Sequence, residues 1–367
     1  MTRKGSPAQE MHHRSPTLRD VATRAGVSPS TVSAVLNDAP RAKAYSPETI
    51  NRVHAIAKEI GYFANPLAKT LKKTKSGMIG AVIFSRHSSY YDFLLQAVES
   101  AAHDVGYEVV TADMGYDPAR LDHCINSLAA WRVEGLLLLS GGYACGPSVM
   151  RTLHETGIPY IKGGVRHPDD PCSSLAFNNR EAGRMLAQHL TRLGHIRIGV
   201  LAANPSNHQA QERLDGITAF LNGCGQPLEG RRVVRAVDSN IGLSAGFHYA
   251  AQLLKSDPSV TSIICANDAM AIGAIRLLRE RSIRVPDDVS VTGFDDLCLG
   301  NRPHEDDRLG AYLVPALTTI RTPLIAMGET AVRMLVELIA HPDLRRVIRT
   351  IEFAPELIVR GSTAPPP

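Results

Sequence analysis

The sequence predicts a multi-domain chain, with a small all-α helix-turn-helix head ahead of an α/β body built on parallel sheets. Three observations point there. Residues 17–37, TLRDVATRAGVSPSTVSAVLN, carry two helix starts around one glycine stop. Positive charge is concentrated before residue 77: residues 1–76 hold 13 Lys and Arg against 5 Asp and Glu, a net +8, while the remainder holds 27 against 31, a net −4. From Met78 onward, short apolar runs alternate with helical stretches.

Residues 1–16 contain no apolar run and read as a disordered leader. The head spans 17–63. Thr17 caps a first helix, with Asp20 three residues on completing a capping box. Leu18, Val21, Ala22 and Ala25 share one face, and Gly26 ends the helix. Ser28 caps the second helix and Pro29 sits at its first position, where a missing N–H costs nothing. Val32, Val35 and Leu36 face inward, leaving Pro29, Ser30, Thr31, Ser33, Ala34 and Asn37 as a small, polar outer face suited to the floor of a major groove. The same pattern serves any helical hairpin, and the charge asymmetry favours DNA, because a basic head on an acidic body suits a chain whose head meets phosphate. Ser46-Pro47-Glu48 starts a third helix, with Thr49 in its first turn, which Gly61 stops before Tyr62. Residues 64–76, with Lys69, Lys72, Lys73 and Lys75, form a short basic linker; an isolated helix of that length is marginal in water.

In the body, strands are expected at 78–84, 107–111, 135–139, 158–161, 174–177, 196–201, 261–265 and 289–293. Helices are expected at 92–104, 118–130, 147–156, 180–193, 209–222, 243–255, 268–281 and 322–340. Near-continuous apolar strands alternating with amphipathic helices predict parallel sheets covered on both faces, with ligands at the carboxyl ends of the strands. Six scattered cysteines without C-x-x-C spacing indicate neither a disulfide framework nor zinc. No segment approaches a membrane helix and no signal peptide opens the chain, so a cytoplasmic protein is expected.

The order TLRDVA, AGVS, TVS, VLN, IGY and NP along the head resembles the lac-repressor (LacI/GalR) family of bacterial transcription regulators. So do ANDAMAIGAIRLLRE, VPDDVSVTGFDD and PALTTIRTPLIAMGETA in the body. The resemblance covers nearly the whole chain. It implies that the second helix reads the major groove, that the linker becomes a hinge helix on DNA, and that Thr17, Leu18, Ser28, Thr49, Tyr62, Lys69 and Lys72 are further DNA-contact candidates. Asn65 would start that hinge, and Leu71, with Ala68 beside it, would wedge into the minor groove. Two residues depart from the family pattern: Ala34 replaces its usual arginine and Ala64 its usual proline. The resemblance also implies two periplasmic-binding-protein-like lobes of type I within 78–362. The first would hold about 78–176 and 322–341, the second about 178–320 and 347–362, with crossings near 176–179, 320 and 341–346 and a tail at 363–367.

The resemblance places Asn178, Arg213, Asn267, Phe294 and Asp295 at a cleft for a small-molecule effector, and Tyr91, just after the first strand, is either a stacking wall of that cleft or a core tyrosine. Planar donors from Arg213 and a carboxylate on Asp295 suit a polyol, sugar or similar polar ligand. Asp268 and Asp296 are expected to cap the helices that follow them. Asn178 stands where many members have aspartate, and Ile241 where some sugar-binding members have tryptophan. Three other patterns carry little. Gly242-Leu243-Ser244-Ala245-Gly246 matches a nucleophile elbow, but Asp238-Ser239-Asn240 separates it from the preceding strand. His304-Glu305-Asp306-Asp307 lacks a second ligand cluster, and Gly141-Gly142 lacks the lysine of a phosphate loop. The expected protein is a homodimeric transcription regulator, most often a repressor in this family, with a double-stranded operator and a small effector as partners and neither cofactor nor metal. A transport-type solute-binding protein and a serine hydrolase using Ser244 are the alternatives.

Overall fold

The computed structural model describes residues 16–37, 40–62, 75–142, 145–164, 172–237, 241–298 and 308–367. Two compact units result, Met1–Ser76 and Gly77–Pro367.

In the first unit, α1 (Leu18–Ala25), α2 (Pro29–Leu36) and α3 (Pro47–Glu59) enclose Val21, Ala22, Ala25, Val32, Val35, Val53 and Ala57. The capping box forms as the sequence indicates: Thr17 N donates to Asp20 Oδ2 at 2.7 Å and Asp20 N to Thr17 Oγ1 at 3.4 Å. Ser28 Oγ accepts from Thr31 N at 3.1 Å and Ser46 Oγ from Thr49 N at 3.3 Å. Such caps contribute about 1 kcal/mol each. Gly26 and Gly61 take left-handed φ values of 65° and 67° after α1 and α3. A short 3-10 helix, Pro40–Ala44, follows α2 and packs against it. One residue departs from expectation. Helical spacing places Ala34 on the outer face, yet it is only 1% exposed.

The second unit holds two parallel sheets. The first contains β1 (Met78–Ile83), β2 (Glu108–Asp113), β3 (Leu136–Leu139), β4 (Tyr160–Gly163), β5 (Ser174–Phe177) and β11 (Thr350–Phe353), in the order β11-β5-β4-β3-β1-β2. Around it lie α4 (Ser89–Asp104), α5 (Leu121–Ala130), α6 (Pro147–Thr156) and α12 (Leu324–Ala340). The second sheet contains β6 (Ile198–Ala202), β7 (Val233–Arg235), β8 (Ser262–Cys265) and β9 (Ser290–Thr292), in the order β7-β6-β8-β9. Its helices are α7 (Asn179–Arg192), α8 (His208–Gly223), α9 (Leu243–Ser256) and α10 (Asp268–Glu280), with the short α11 (Leu309–Tyr312) beyond. Runs such as Leu136–Leu139 are buried on both faces, as parallel strands between helical layers require.

The chain passes between the lobes at Phe177–Asn178, after β10 (Thr319–Arg321), and at Ala354–Pro355 before β12 (Glu356–Ile358), which pairs antiparallel with β10. The last passage corrects the sequence reading, which put it near 341–346 and residues 347–362 in the second lobe. β11 pairs in parallel with β5, Thr350 opposite Ser174 and Phe353 opposite Phe177, so it closes the first sheet. Burial alternates along this edge strand, so it shows no apolar run in the sequence.

Helices α7 and α8 approach until a Cβ at Gly183 would strike the carbonyl oxygen of Arg213, and one at Gly216 that of Arg180. Only glycine permits that crossing, which seats the backbone of Arg213. Gly183→Ala is expected to force the helices apart at a cost of about 1–3 kcal/mol, read as a lower urea midpoint. An unchanged midpoint would contradict the packing.

Candidate functional site

Arg213 leaves α8 at the mouth between the lobes. Its Nε donates to Asn179 Oδ1 and its Nη1 to the carbonyl oxygen of Ala266, both at 2.8 Å. The guanidinium lies flat on Phe294, Cζ 3.5 Å from the ring centroid. Phe294 is itself buried and meets Phe177 edge-on at 5.9 Å. Guanidinium over an aromatic face is a favourable stack, and two of its five donors are already used, which fixes the direction of the rest.

Asp295 stands across the space. Its φ is 112° and that of Asp296 is 50°, two successive non-glycine residues with positive φ. Such strain persists only where surroundings over-determine it. Asp295 N donates to Ile320 O at 2.8 Å and its carbonyl accepts from Thr322 N at 3.2 Å, tying the turn to β10. Burial raises the Asp295 carboxyl well above the usual carboxylate range, against the pull of Arg213. Burial lowers the Arg213 pKa, against the pull of Asp295. Among the described residues no ion pair joins Asp295 to Arg213, so each keeps capacity for a third group. Tyr90 and Tyr91 wall the first-lobe side, rings 5.1 Å apart and T-shaped, and burial pushes the Tyr90 phenol up. With Ser88, Asn207, Gln209, Ile241 and Asn267 these residues line a solvent-open space of about 480 Å³.

The structure therefore brings Tyr91, Arg213, Asn267 and Asp295 to one cleft, with Phe294 beneath Arg213. Asn178 is not among the lining residues. Its Oδ1 caps α7 through Glu181 N at 2.9 Å and its Nδ2 donates to Glu352 Oε2 at 3.1 Å, so it laces two interlobe passages. Asn267 is largely committed: Oδ1 accepts from Met270 N and Nδ2 donates to Ile241 O. That makes Asn267, rather than Asp268, the cap of α10. Asp268 is wholly buried, accepting from Thr319 Oγ1 at 2.7 Å and Leu297 N at 3.2 Å. Among the described residues Asp296 caps no helix either; Arg321 and Arg360 reach its carboxylate at 2.8 Å and Arg308 Nε at 3.9 Å. The sequence reading missed Asn179, Asn207 and Gln209. Asn207 had a legible signal as the cap of α8.

Ser244 lies in the first turn of α9, and its Oγ is 3.3 Å from His248 Nδ1. That nitrogen also lies 2.7 Å from Ser244 O, one helical turn back, which is local helix bonding. Gly246 meets the backbone of Met270, so the G-x-S-x-G match reflects close packing of α9 on α10. Among the described residues no His, Cys, Asp and Glu cluster could hold a metal, and no helix is long and apolar enough to cross a membrane.

In the first unit, Ser28, Pro29 and Ser30 are exposed at the start of α2, with Thr31 and Ser33 half-buried. Asn37 Nδ2 donates to Ser33 O at 2.7 Å. Thr17 serves α1 as its cap, Leu18 and Tyr62 pack on the core, and Thr49 opens α3. Asn65, Ala68, Lys69, Leu71 and Lys72 lie outside the described residues.

A helix-turn-helix unit and a two-lobed cleft define a ligand-responsive DNA-binding regulator. Residues 17–65 match the model of bacterial regulatory proteins of the lacI family. Residues 76–356 match the periplasmic binding proteins and sugar binding domain of the LacI family. The chain belongs to the LacI family of bacterial transcription regulators. It is 30% identical to the HTH-type transcriptional repressor PurR of Mannheimia succiniciproducens over 94% of this chain and 98% of that one. It is 33% identical to an uncharacterized HTH-type regulator in the aml 5' region of Streptomyces limosus, over 99% and 97%. Its structure resembles the lac repressor dimer bound to operator and the anti-inducer ONPF, with TM-score 0.76, 29% identity and coverage of 96% and 100%. The transcriptional regulator CelR–cellobiose complex gives 0.68, 28%, 95% and 99%.

Asp268 carries a pH signature. Burial raises its carboxyl to about 7, whereas the unfolded chain ionises it near ~3.9. Between those values the native state holds the extra proton. The stability from this group is therefore complete below pH ~4 and lost as pH rises through about 7, on the order of 4 kcal/mol. Urea melts from pH 4 to 8 should show wild type losing stability relative to Asp268→Asn as pH rises. A constant difference would refute the buried neutral carboxyl.

Proposed function

We propose that the chain is a homodimeric repressor whose first unit binds a double-stranded operator and whose cleft takes an uncharged polyol, a sugar or sugar derivative, as effector. One observation carries the ligand reading: a guanidinium held flat on Phe294 faces the buried carboxyl group of Asp295 across an open space. Forked donors on one side and acceptor oxygens on the other suit adjacent hydroxyls. The reading is supported by the cellobiose held by CelR, and the dimer by the lac repressor dimer on its operator.

Ligand binding would shift the lobes, and the shift would set operator affinity through the linker 64–76. A coupling of ~1–3 kcal/mol is enough for such control.

A gel shift with the chain's own upstream DNA, with and without a panel of neutral sugars and phosphosugars, tests the reading. A specific shift altered by a neutral sugar is expected; no specific shift under any condition would sink it. Arg213→Lys keeps charge but loses the planar fork. It should bind operator like wild type while needing at least about tenfold more sugar for the same response, a loss of about 1.4 kcal/mol. Leu71→Ala should weaken specific more than non-specific binding if that leucine wedges a base step. Equal losses would count against the wedge.

A further inference from the structure

Helix α2, the element placed to read DNA, carries no charged side chain along PSTVSAVL. At helical spacing Ser30 and Ala34 share the strip opposite Val32 and Leu36, the side turned away from the core. That strip is not bare. The 3-10 helix Pro40–Ala44 packs against α2, and Arg41 Nη2 donates to Ser30 O at 3.0 Å. Ala34, one turn beyond Ser30, is 1% exposed, while Arg41 is exposed. The loop thus lies over the strip where α2 alone would offer only a hydroxyl and a methyl. It brings an exposed guanidinium tethered at one nitrogen, with four further N–H groups in the same plane.

We propose that Arg41 is a base-reading residue of the DNA interface, taking a guanine edge in the major groove from the loop after α2. The assignment rests on the first unit being the operator-binding unit. A guanidinium pairs with guanine O6 and N7 through two parallel hydrogen bonds, which a phosphate-bound side chain does not need. Anchoring to Ser30 O fixes its position along α2 and lowers the rotamer freedom lost on contact. Ala34 is part of the arrangement: it is 1% exposed, so a long side chain there would push on the segments packed against α2, the 3-10 helix among them.

The test uses the full chain selected against a randomised operator library, followed by affinity and salt titrations on the best site and its single-base variants. In Arg41→Ala, preference at one base pair of each half-site should fall by about tenfold or more, with preferences elsewhere unchanged. Arg41→Lys should lose the same preference while keeping the wild-type salt slope, because charge survives and the fork does not. Ala34→Met, which leaves the guanidinium itself unaltered, should relax the same base pair by displacing the loop. Circular dichroism checks that each variant keeps its helices, and Arg41 is exposed, so its replacement leaves the core intact. Uniform weakening across all sites in Arg41→Ala, with unaltered base preferences, would overturn the proposal and leave Arg41 a phosphate contact. So would an Arg41→Lys variant that reads like wild type. If wild type itself selects no sequence, the operator-binding reading falls, and this assignment with it.

Discussion

The backbone turn at Asp295-Asp296 is the constraint from which the body's geometry follows. Two successive residues with positive φ send one carboxylate to the cleft and the next into the passage between lobes. Asp296 is wholly buried, held by Arg321 from β10 and Arg360 beyond β12, with Arg308 Nη1 on its carbonyl oxygen at 2.8 Å. Removing one partner of a buried ion pair costs about 3–5 kcal/mol. The arginines thus over-determine the turn and hold Asp295 in a conformation it would not choose alone. Arg321 also reaches Glu356 of β12 at 3.5 Å, so the same ions join two of the three interlobe passages.

Much of the architecture was legible because parallel strands buried on both faces must be apolar throughout. MIGAVI, LLLL and SIIC stand out in the sequence for that reason, and their helices follow from 3.6-residue periodicity. The strands that escaped notice are short ones at edges and passages. TIR, TIEF and ELI owe their pairing to distant partners, and local composition carries no trace of that. The misplaced third passage follows directly: Phe353 enters the first sheet only because Phe177 lies beside it, 176 positions earlier in the chain.

The cleft was legible as a set of residue types but not as a division of labour. Asn178 and Asn267 are both helix caps, a role that short polar side chains at strand–helix junctions commonly take. Asp268 looked like a cap from its position, yet Asn267 already satisfies the helix start, which releases the acid for Thr319 and Leu297. Ala34 was misjudged for a different reason. Helical spacing places a side chain on a face, and only the fold of the next segment decides whether that face is covered.

The strengths of the contacts also decide what can move. Across the mouth, the lobes meet through His208 N donating to Gly142 O at 3.3 Å, with Gln209 packed over Gly142 and Gly164. A backbone hydrogen bond contributes about 1 kcal/mol net. The passage beneath is held by buried ions whose disruption costs several times more. The rigid end and the yielding end of the cleft are thus set by different interactions. A ligand of the proposed kind, spanning Arg213 and Asp295, would add its binding energy where the lobes are weakly joined, and only its preference for one lobe arrangement would shift the equilibrium. A preference of ~1–3 kcal/mol matches or exceeds the mouth contact and falls short of the ionic passage. Under the proposed function, a ligand-driven change of that size would leave the ionic passage intact and rotate the lobes about the Asp295-Asp296 turn.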